Sequence, residues 1–335
     1  MIIPIKPYLN FQDKYSTEVS ISPHGECNLR CTFCFDRARY NEFASYDACM
    51  KTADRVCKLI SSIQTPYIVF RFYGGEVFQD KFGDDVYQGY YDMLDNIFEY
   101  SKILNKKSEF IIVTNLMHHD HGRPTELIKR YNAKLNPSVD FKGRFTKQSQ
   151  WDLFYENLKF YDTLGVVNDL GYITTPDNIK AIHDNDESQK RFDYLYKNYK
   201  LTCGFAAENG SGCQATSDDV FEHMKFLYNH YPNVAPINAF IDALNKETPK
   251  RNLQSCPGFF VTHNSTAYTC CNCTTNKTRD PSKFDYYKLV KKQYSIKHCH
   301  VCKYFDICPN LCVNIWHSDN NCFQYRMFEY IQSKS

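Results

Sequence analysis

Three cysteines lie close together near the amino terminus of this 335-residue chain, at Cys27, Cys31 and Cys34. Iron–sulfur clusters are usually held by four cysteine thiolates. Three thiolates at this CxxxCxxC spacing would hold three irons of a 4Fe–4S cluster and leave the fourth iron open. An open iron can bind a small molecule and pass it one electron. Because scattered cysteines would give this spacing roughly 0.04 times per chain, the triplet indicates redox chemistry.

The triplet could instead form a zinc site or a disulfide. Zinc usually takes four ligands from two separated pairs, and no such pair lies beside these cysteines. The stretch from Met1 to Asn10 lacks a basic region followed by a long apolar core, so it does not resemble a signal peptide. Disulfide frameworks are rare without export, and 16 cysteines fall below the density of disulfide scaffolds. We expect a cytoplasmic protein whose reduced cysteines bind metal.

A second group of cysteines occupies the carboxy-terminal part of the chain. The pattern at its centre is Cx2Cx5Cx3C, which would arise by chance roughly 0.002 times per chain. Its spacing alone does not separate structural zinc from iron–sulfur clusters, but the first triplet in the same chain favours iron. The group consists of Cys256, Cys270, Cys271, Cys273, Cys299, Cys302, Cys308, Cys312 and Cys322.

The charge and composition of the chain exclude several classes of partner. Its 40 basic residues nearly balance its 38 acidic residues, for a net charge of +2. This balance calls for neither nucleic acid nor an anionic membrane. No apolar stretch is long enough to span a bilayer. The 26 Tyr and 25 Phe residues indicate core packing first and an aromatic-lined substrate channel second.

Strand and helix patterns alternate along most of the chain, which predicts a parallel sheet with right-handed crossovers. Six such units would form an open, partial (β/α)6 TIM-like barrel, in which chemistry collects where strands end. The predicted strands are Glu18–Ile21, Tyr67–Tyr73, Phe110–Thr114, Pro137–Phe141, Gly171–Thr175 and Leu201–Ala206. The predicted helices are Asp47–Ile63, Val86–Leu104, Pro124–Tyr131, Gln150–Leu164 after an N-cap at Ser149, Asp177–Ile182, Asp218–His230 after an N-cap at Ser217, and Ile237–Leu244.

Three motifs follow the first three predicted strands. The cysteine triplet comes directly after the first strand. Gly74, Gly75 and Glu76 close the second strand, where paired glycines let a backbone approach a ligand and a carboxylate can accept hydrogen bonds from an ammonium group. The alternative is a glycine turn with a solvated Glu. Thr114 and Asn115 close the third strand and either hydrogen-bond a polar ligand or form an Asx turn.

With these motifs the chain resembles the radical S-adenosylmethionine (SAM) enzymes of the subgroup with a carboxy-terminal SPASM domain. Cys27, Cys31 and Cys34 match the family's CxxxCxΦC motif, with Phe33 as the aromatic residue. Residues 74–76 match its GGE motif, which holds the methionine amino group of SAM. The resemblance covers about residues 15 to 330. It implies a partial barrel in 1–235, a bridge in 236–255 and a small SPASM-like iron–sulfur domain in 256–335.

The same resemblance implies further ligands of SAM and of two auxiliary 4Fe–4S clusters. Thr114 and Asn115 resemble the polar residues that end the family's third strand. Ser138, on the predicted fourth strand, and Arg144 are further candidates for the methionine carboxylate or the ribose. One auxiliary cluster would use Cys256, Cys270 and Cys312, and the other would use Cys299, Cys302, Cys308 and Cys322.

The chain departs from the family pattern at the first auxiliary site. No cysteine just before Cys256 supplies an eighth ligand, so that cluster has an open iron or uses Cys271 or Cys273. In anaerobic sulfatase-maturing relatives an Asp follows the second cysteine and acts as a base. Cys271 occupies that position here, which weakens the hypothesis of sulfatase maturation. About 15 residues precede the first predicted strand, so the winged-helix module that binds a leader peptide in many relatives is not expected.

The resemblance implies an enzyme, an oxidoreductase or peptide-modifying radical SAM enzyme, with three 4Fe–4S clusters and SAM as cofactors. One electron cleaves SAM, and the resulting 5′-deoxyadenosyl radical removes a hydrogen atom from substrate. The expected substrate is a ribosomally made peptide or a protein side chain. The expected partners are an electron donor such as flavodoxin or ferredoxin and a separate leader-peptide-binding protein. The alternatives are a radical SAM enzyme for a small molecule or nucleotide, and a non-enzymatic zinc-binding module.

Overall fold

The computed structural model describes residues 17–34, 36–63, 65–205, 213–245, 258–264, 266–268, 301–304, 307–308 and 322–334. By its contacts the chain divides into two compact units. The first consists of the described residues within Met1–Ser138, Thr146–Asn168 and Pro257–Phe284. The second consists of those within Val139–Phe145, Asp169–Cys256 and Asp285–Ser335.

The first unit contains a six-stranded sheet in the order β4-β3-β2-β1-β7-β8. All neighbouring pairs are parallel except β7 and β8, which are antiparallel. β1 is buried along almost its whole length, as expected for a parallel strand that is covered on both faces. The strands are β1 (Thr17–Ser22), β2 (Tyr67–Phe72), β3 (Lys107–Thr114), β4 (Lys134–Pro137), β7 (Gly258–Thr262) and β8 (Thr266–Tyr268).

Helices alternate with the first four strands of this sheet. They are α1 (Tyr46–Ile60), α2 (Asp84–Ile103), α3 (Gly122–Arg130) and α4 (Gln148–Thr163). Ser45 caps α1 by accepting a hydrogen bond from the Ala48 N–H, which satisfies one of the free donors of the first turn. The inner face of α1 buries Val56, Leu59 and Ile60. Burial of each such side chain stabilises the fold by about 1.5–3 kcal/mol.

The second unit contains a two-stranded parallel sheet and five helices among its described residues. The strands are β5 (Asp169–Thr174) and β6 (Lys200–Phe205), and the helices are α5 (Pro176–Asp184), α6 (Asp186–Asn198), α7 (Ser217–His230), α8 (Ile237–Leu244) and α9 (Phe323–Gln332). Thr175 caps α5, Asn185 caps α6, and Thr216 forms a capping box with Asp219 at the start of α7. These caps explain why three helices begin where they do.

The predicted fold class is confirmed. The chain is a mixed α/β protein, and five of the six strands in its larger sheet are parallel, as expected for a partial TIM-like barrel. Six strands and seven helices lie at or near their predicted positions, and the predicted bounds of the helix Ile237–Leu244 are correct. The predicted division of the chain into barrel, bridge and SPASM-like domain stays a prediction.

Several elements differ from the sequence-based predictions. The fourth strand ends at Pro137 instead of Phe141, because proline lacks the N–H that a continuing strand needs. The residue before α4 is Lys147 and not Ser149. Helix α6 and the hairpin β7–β8 were not predicted. No helix among the described residues has the length and apolar character needed to cross a bilayer.

Candidate functional site

The three amino-terminal cysteines lie in the loop that follows β1. Cys31 is buried, and Cys27 and Cys34 are partly exposed. The Cys34 N–H donates to the Cys31 carbonyl oxygen at 3.3 Å, which forms a tight turn between the last two cysteines. The Leu29 N–H donates to Cys27 Sγ at 3.4 Å. A backbone donor directed at a cysteine sulfur favours the thiolate, the form that binds metal.

The thiols of this loop interact electrostatically. The pKa of the Cys27 thiol is raised to about 12, mainly by burial and then by the nearby Glu76 carboxylate, Cys31 and Cys34. The hydrogen bond from the Leu29 N–H acts in the opposite direction and lowers this pKa. Three thiolates so close together need a cation between them to remain charged. No group of three His, Cys, Asp or Glu side chains in the described ranges already has a metal-binding arrangement. The three thiols are therefore close together and of the right chemical type to bind a cluster, but their side chains are not arranged as metal ligands.

A glycine turn after β2 packs directly against the cysteine loop. Gly74 and Gly75 have positive φ angles of 109° and 63°, which glycine adopts without a steric penalty. A Cβ on Gly74 would lie 1.6 Å from Ser22 Oγ, and one on Gly75 would lie 2.0 Å from the Glu26 carbonyl oxygen. The Glu76 N–H donates to that same oxygen at 2.9 Å. The two loops thus touch through backbone atoms, at a spacing that only glycine permits.

The Glu76 side chain is buried, and it accepts hydrogen bonds from residues that follow β2 and from residues at the end of β3. Its Oε1 accepts hydrogen bonds from the Thr114 hydroxyl at 2.6 Å and from the Phe78 N–H at 3.0 Å. Its Oε2 accepts from the Asn115 N–H at 2.6 Å. With only 2% of Glu76 exposed, the alternative of a turn with a solvated Glu is wrong. Its contact with the methionine amino group of SAM stays a prediction.

Asn115 connects the end of β3 to the cysteine loop. Its Nδ2 donates to Asn28 Oδ1 at 2.8 Å and contacts Cys27 Sγ at 3.9 Å. Its Oδ1 accepts from the Met117 N–H at 2.8 Å, and the Met117 carbonyl oxygen accepts in turn from Asn28 Nδ2 at 2.6 Å. Asn115 therefore forms an Asx turn and also reaches a cysteine sulfur. The first three sequence motifs meet in this part of the first unit.

Sequence reasoning missed four side chains that hold these loops. Gln79 Nε2 donates to the carbonyl oxygens of Glu26 and Glu76 at 3.1 and 3.0 Å. Asp36, buried after the cysteines, accepts a hydrogen bond from the Gly75 backbone. No spacing in the sequence distinguishes these residues from other polar residues, although both lie within three residues of a motif.

The other two missed residues are Arg39 and His263. Arg39 donates to Ser22 Oγ at 2.6 Å and forms ion pairs with Asp36 at 3.1 Å and Glu42 at 2.7 Å. It joins the end of β1 to the chain beyond the cysteines. His263, which follows β7, lies with its Nδ1 2.9 Å from the Pro23 carbonyl oxygen. His263 and Pro23 are 240 residues apart in the sequence.

The remaining predicted SAM ligands are placed as follows. Phe33 is buried, with 7% of its surface exposed. Ser138 lies one residue beyond β4, and its N–H donates to the Thr114 carbonyl oxygen at 2.8 Å. Arg144 belongs to the second unit, where its Nε donates to the fully buried Asp140 carboxylate at 2.6 Å. The roles proposed for Ser138 and Arg144 toward SAM stay predictions.

Three cysteines of the carboxy-terminal group lie in the described part of the second unit. Cys302 and Cys308 are partly exposed, and Cys322 is the N-cap residue of α9. The Cys308 thiol donates to Gln324 Oε1 at 3.3 Å. The other six, Cys256, Cys270, Cys271, Cys273, Cys299 and Cys312, lie outside the described residues. The assignment of all nine to auxiliary clusters stays a prediction.

A histidine-rich loop follows β3 in the first unit. Within Met117–His121, His118 is buried although the segment is rich in polar residues. Only 1% of His118 is exposed, and its Nε2 lies 2.8 Å from the Tyr161 hydroxyl. His121 Nε2 donates to Asn157 Oδ1 at 2.6 Å. These contacts attach the loop to α4.

Comparison with known proteins gives structural relatives only. The sequence matches no family model and no curated protein. The structure of anSMEcpe with bound AdoMet and the Cp18Cys peptide matches with a TM-score of 0.65 and 15% identity, over 96% of this chain and 98% of that one. Streptococcus suis SuiB bound to its precursor peptide SuiA matches with a TM-score of 0.55 and 14% identity, over 92% and 76%. SuiB bound to S-adenosylmethionine gives 0.54 and 14%, over 95% and 80%.

Both relatives are radical SAM proteins. The match extends over nearly the whole chain, and at 14–15% identity it concerns the fold. The predicted resemblance is confirmed at this level: the chain has the fold of the radical SAM proteins anSMEcpe and SuiB.

Proposed function

We propose that this protein is a radical SAM enzyme that removes a hydrogen atom from a peptide or protein side chain. One observation carries the proposal. The cysteine loop after β1 and the glycine turn after β2 are bonded to each other through Glu26 and Glu76, within a fold shared with proteins whose structures contain AdoMet. The thiols that would hold a cluster with an open iron therefore lie beside the glycine turn and its buried carboxylate.

The residues of the first unit fit a SAM-binding 4Fe–4S cluster. Cys27, Cys31 and Cys34 would hold it through three thiolates. When bound, the cluster would supply one electron to SAM, and the cofactor would in turn supply the radical chemistry that removes a hydrogen atom from the substrate. Asn115 and the Leu29 N–H direct donors at Cys27 Sγ. The Glu76 carboxylate, held by Thr114, fixes the glycine turn against the cysteine loop.

A peptide is the substrate class that the relatives support. The structure of anSMEcpe contains the Cp18Cys peptide, and that of SuiB contains its precursor peptide. The modification we propose is a crosslink, a thioether, an epimerisation or an oxidation of a residue. The alternative is a small molecule or nucleotide. Sulfatase maturation is not the function we propose, because Cys271 occupies the position of the expected Asp.

The carboxy-terminal cysteines are proposed ligands of two auxiliary clusters. Cys256 precedes β7 by two residues, and Cys270 follows β8 by two residues. Because β7 and β8 form an antiparallel hairpin, its two open ends are adjacent. The proposed partners are a flavodoxin or ferredoxin as electron donor and a separate protein that binds the leader peptide.

The metal and the SAM chemistry are tested together. We expect about 12 irons per chain after anaerobic reconstitution if three 4Fe–4S clusters form. The Cys31→Ala variant should lose SAM cleavage, measured as 5′-deoxyadenosine. The matched control is Cys57→Ala, a cysteine of α1 whose thiol contacts the Asn96 carbonyl oxygen at 3.8 Å. Stoichiometric zinc without iron, or unchanged cleavage in Cys31→Ala, would contradict the proposal.

The substrate class needs a separate experiment. Peptides encoded beside the gene are incubated anaerobically with the reconstituted protein, SAM and a reductant. A mass change on a peptide, dependent on SAM, is the expected result. Turnover of a small molecule with no change on any of these peptides would favour the alternative substrate class.

A further inference from the structure

Two side chains outside the sequence motifs contact the cysteine loop, Arg30 from within the loop and Tyr40 from the turn that follows it. Arg30 lies between Cys27 and Cys31 in sequence, and its Nη1 donates to the carbonyl oxygen of Cys27 and, at 2.9 Å, to that of Leu29. Its guanidinium group lies over the ring of Tyr40, 4.6 Å from the ring centroid. A guanidinium at this distance gains cation–π attraction.

Tyr40 reaches a cysteine sulfur as well as Arg30. The Tyr40 side chain is hydrogen-bonded to the side chain of Cys34. Burial, followed by this hydrogen bond, raises the pKa of the Tyr40 phenol, as do the charges of Cys31 and Cys27. Arg30 and Tyr40 therefore contact both the first and the last cysteine of the triplet. Neither residue belongs to the CxxxCxΦC pattern.

The position of Tyr40 is fixed by its own turn. Residues Arg37–Arg39 form one turn of 3-10 helix, and the Tyr40 N–H donates to the Arg37 carbonyl oxygen at 3.4 Å. The Arg37 N–H donates to the Cys34 carbonyl oxygen at 3.4 Å, which starts the turn at the third cysteine. Arg39 attaches the turn to Ser22 at the end of β1. Tyr40 is thus held in place independently of any bound group.

We propose that Tyr40 and Arg30 set the reduction potential of the cluster held by Cys27, Cys31 and Cys34, and this inference rests on the proposed function. Reduction adds one electron from a low-potential donor to the cluster, with no bond made or broken in the protein. A hydrogen bond to a ligand sulfur and a nearby positive charge both stabilise the more negative reduced state. Tyr40 supplies the hydrogen bond and Arg30 the charge, so both raise the potential. They are positioning residues, because they act through the cysteines and the backbone.

The test is a redox titration with dithionite, followed by electron paramagnetic resonance. Only the signal that changes on addition of SAM is analysed, which separates this cluster from any auxiliary cluster. In Tyr40→Phe we expect the ratio of reduced to oxidised cluster at a fixed potential to fall about tenfold, equivalent to about 59 mV for one electron. The matched control is Tyr46→Phe, which removes a hydroxyl that donates to Asp92 at 2.9 Å, and its potential should equal that of the wild type.

Arg30 provides a second variant if Tyr40→Phe binds less iron. Arg30→Gln removes the charge, whereas Arg30→Lys keeps the charge and loses the planar group. We expect a lower potential in Arg30→Gln and a smaller decrease in Arg30→Lys. Wild-type potentials in Tyr40→Phe and Arg30→Gln, with iron content intact, would overturn this inference and leave the proposed function standing. The absence of any SAM-responsive signal in the wild-type protein would overturn both.

Discussion

The Thr114 hydroxyl donates a 2.6 Å hydrogen bond to the Glu76 carboxylate. Thr114 is the last residue of β3, and Glu76 lies in the turn that follows β2. A buried carboxylate is costly unless donors replace its lost hydration, and the end of β3 supplies two of them, Thr114 Oγ1 and the Asn115 N–H. Since the Glu76 N–H also donates to the Glu26 carbonyl oxygen, Glu76 connects β2, β3 and the cysteine loop through its carboxylate and its backbone.

Replacing the Thr114 hydroxyl tests this connection. Thr114→Val keeps the shape of the side chain and leaves Glu76 with one donor fewer, which should cost about 1–3 kcal/mol and weaken SAM binding. Thr114→Ser should recover most of both losses. The control is Thr163→Val, whose exposed hydroxyl donates to the Phe160 carbonyl oxygen and whose removal should change stability by less than about 0.5 kcal/mol. Thermal unfolding and SAM titration measure the two effects, and equal losses in the two valine variants would contradict the assignment.

Two glycines with nearly the same φ allow steric contact to be separated from backbone strain. Gly75 has φ 63° and Gly165 has φ 68°. A Cβ on Gly75 would lie 2.0 Å from the Glu26 carbonyl oxygen, whereas a Cβ on Gly165 would meet nothing within 4 Å. Gly165→Ala should cost only the strain of the left-handed region, about 1–2 kcal/mol. Gly75→Ala should cost clearly more and should also reduce the iron retained after reconstitution. Similar melting temperatures for the two variants would show that the Glu26 backbone moves aside freely.

The sequence predicted the motifs and the strands that carry them, because both depend on local patterns. Apolar runs marked β1, β2 and β3 to within a few residues, and the site motifs follow those strands directly. The spacing of cysteines and the paired glycines needs no tertiary information. The fourth strand was placed too late because Pro137 was read as its start and not its end.

The missed features depend on contacts that are distant in sequence. β7 pairs with β1 although Phe259 and Val19 are 240 residues apart, and no local pattern states such a pairing. Asp36 and Arg39 look like ordinary surface charges, but both are largely buried in the folded chain, with 3% and 14% of their side chains exposed. The importance of Asp36 and Arg39 comes from the loops that they connect, and these connections exist only in the folded chain.

Gln79 provides a test of these missed contacts. Its Nε2 bridges the carbonyl oxygens of Glu26 and Glu76, and its buried Oε1 has no hydrogen-bond partner within the described ranges. Gln79→Leu removes the bridge and the unpaired oxygen together, so it should cost about 1 kcal/mol. Gln79→Glu places a carboxylate against two carbonyl oxygens and should cost more. The order of melting temperatures, wild type above Leu above Glu, checks the argument.

The control for Gln79 is an exposed glutamine of α2. Gln88 Nε2 donates to Asp92 Oδ1 at 2.8 Å on the helix surface. Gln88→Leu and Gln88→Glu should both change stability by less than about 0.5 kcal/mol. If Gln79→Glu were as stable as Gln79→Leu, the two carbonyl oxygens would not determine the requirement for a donor at this position.

The second unit should lose stability in mild acid because of His223. This buried histidine lies between the Tyr172 hydroxyl, 2.9 Å from its Nε2, and His183 Nε2, 3.0 Å from its Nδ1. Burial, followed by His183, lowers its pKa to about 3, whereas an unfolded histidine titrates near about 6.5. Between these values the unfolded chain binds a proton that the folded chain excludes. The contribution of neutral, buried His223 to the free energy of unfolding is therefore complete above about pH 6.5, and it falls as the pH decreases toward 3.

The expected slope from His223 is at most about 1.4 kcal/mol per pH unit. Hydrogen exchange of peptides from α7, corrected for intrinsic rates, measures it between pH 7.5 and 5. His223→Gln should be less stable than the wild type at pH 7.5, because its shape fits the two partners poorly, and should show a flatter dependence below pH 6.5. His230→Gln changes an exposed histidine of the same helix and should leave the wild-type slope unchanged. An identical slope in His223→Gln would assign the acid sensitivity of α7 to other groups.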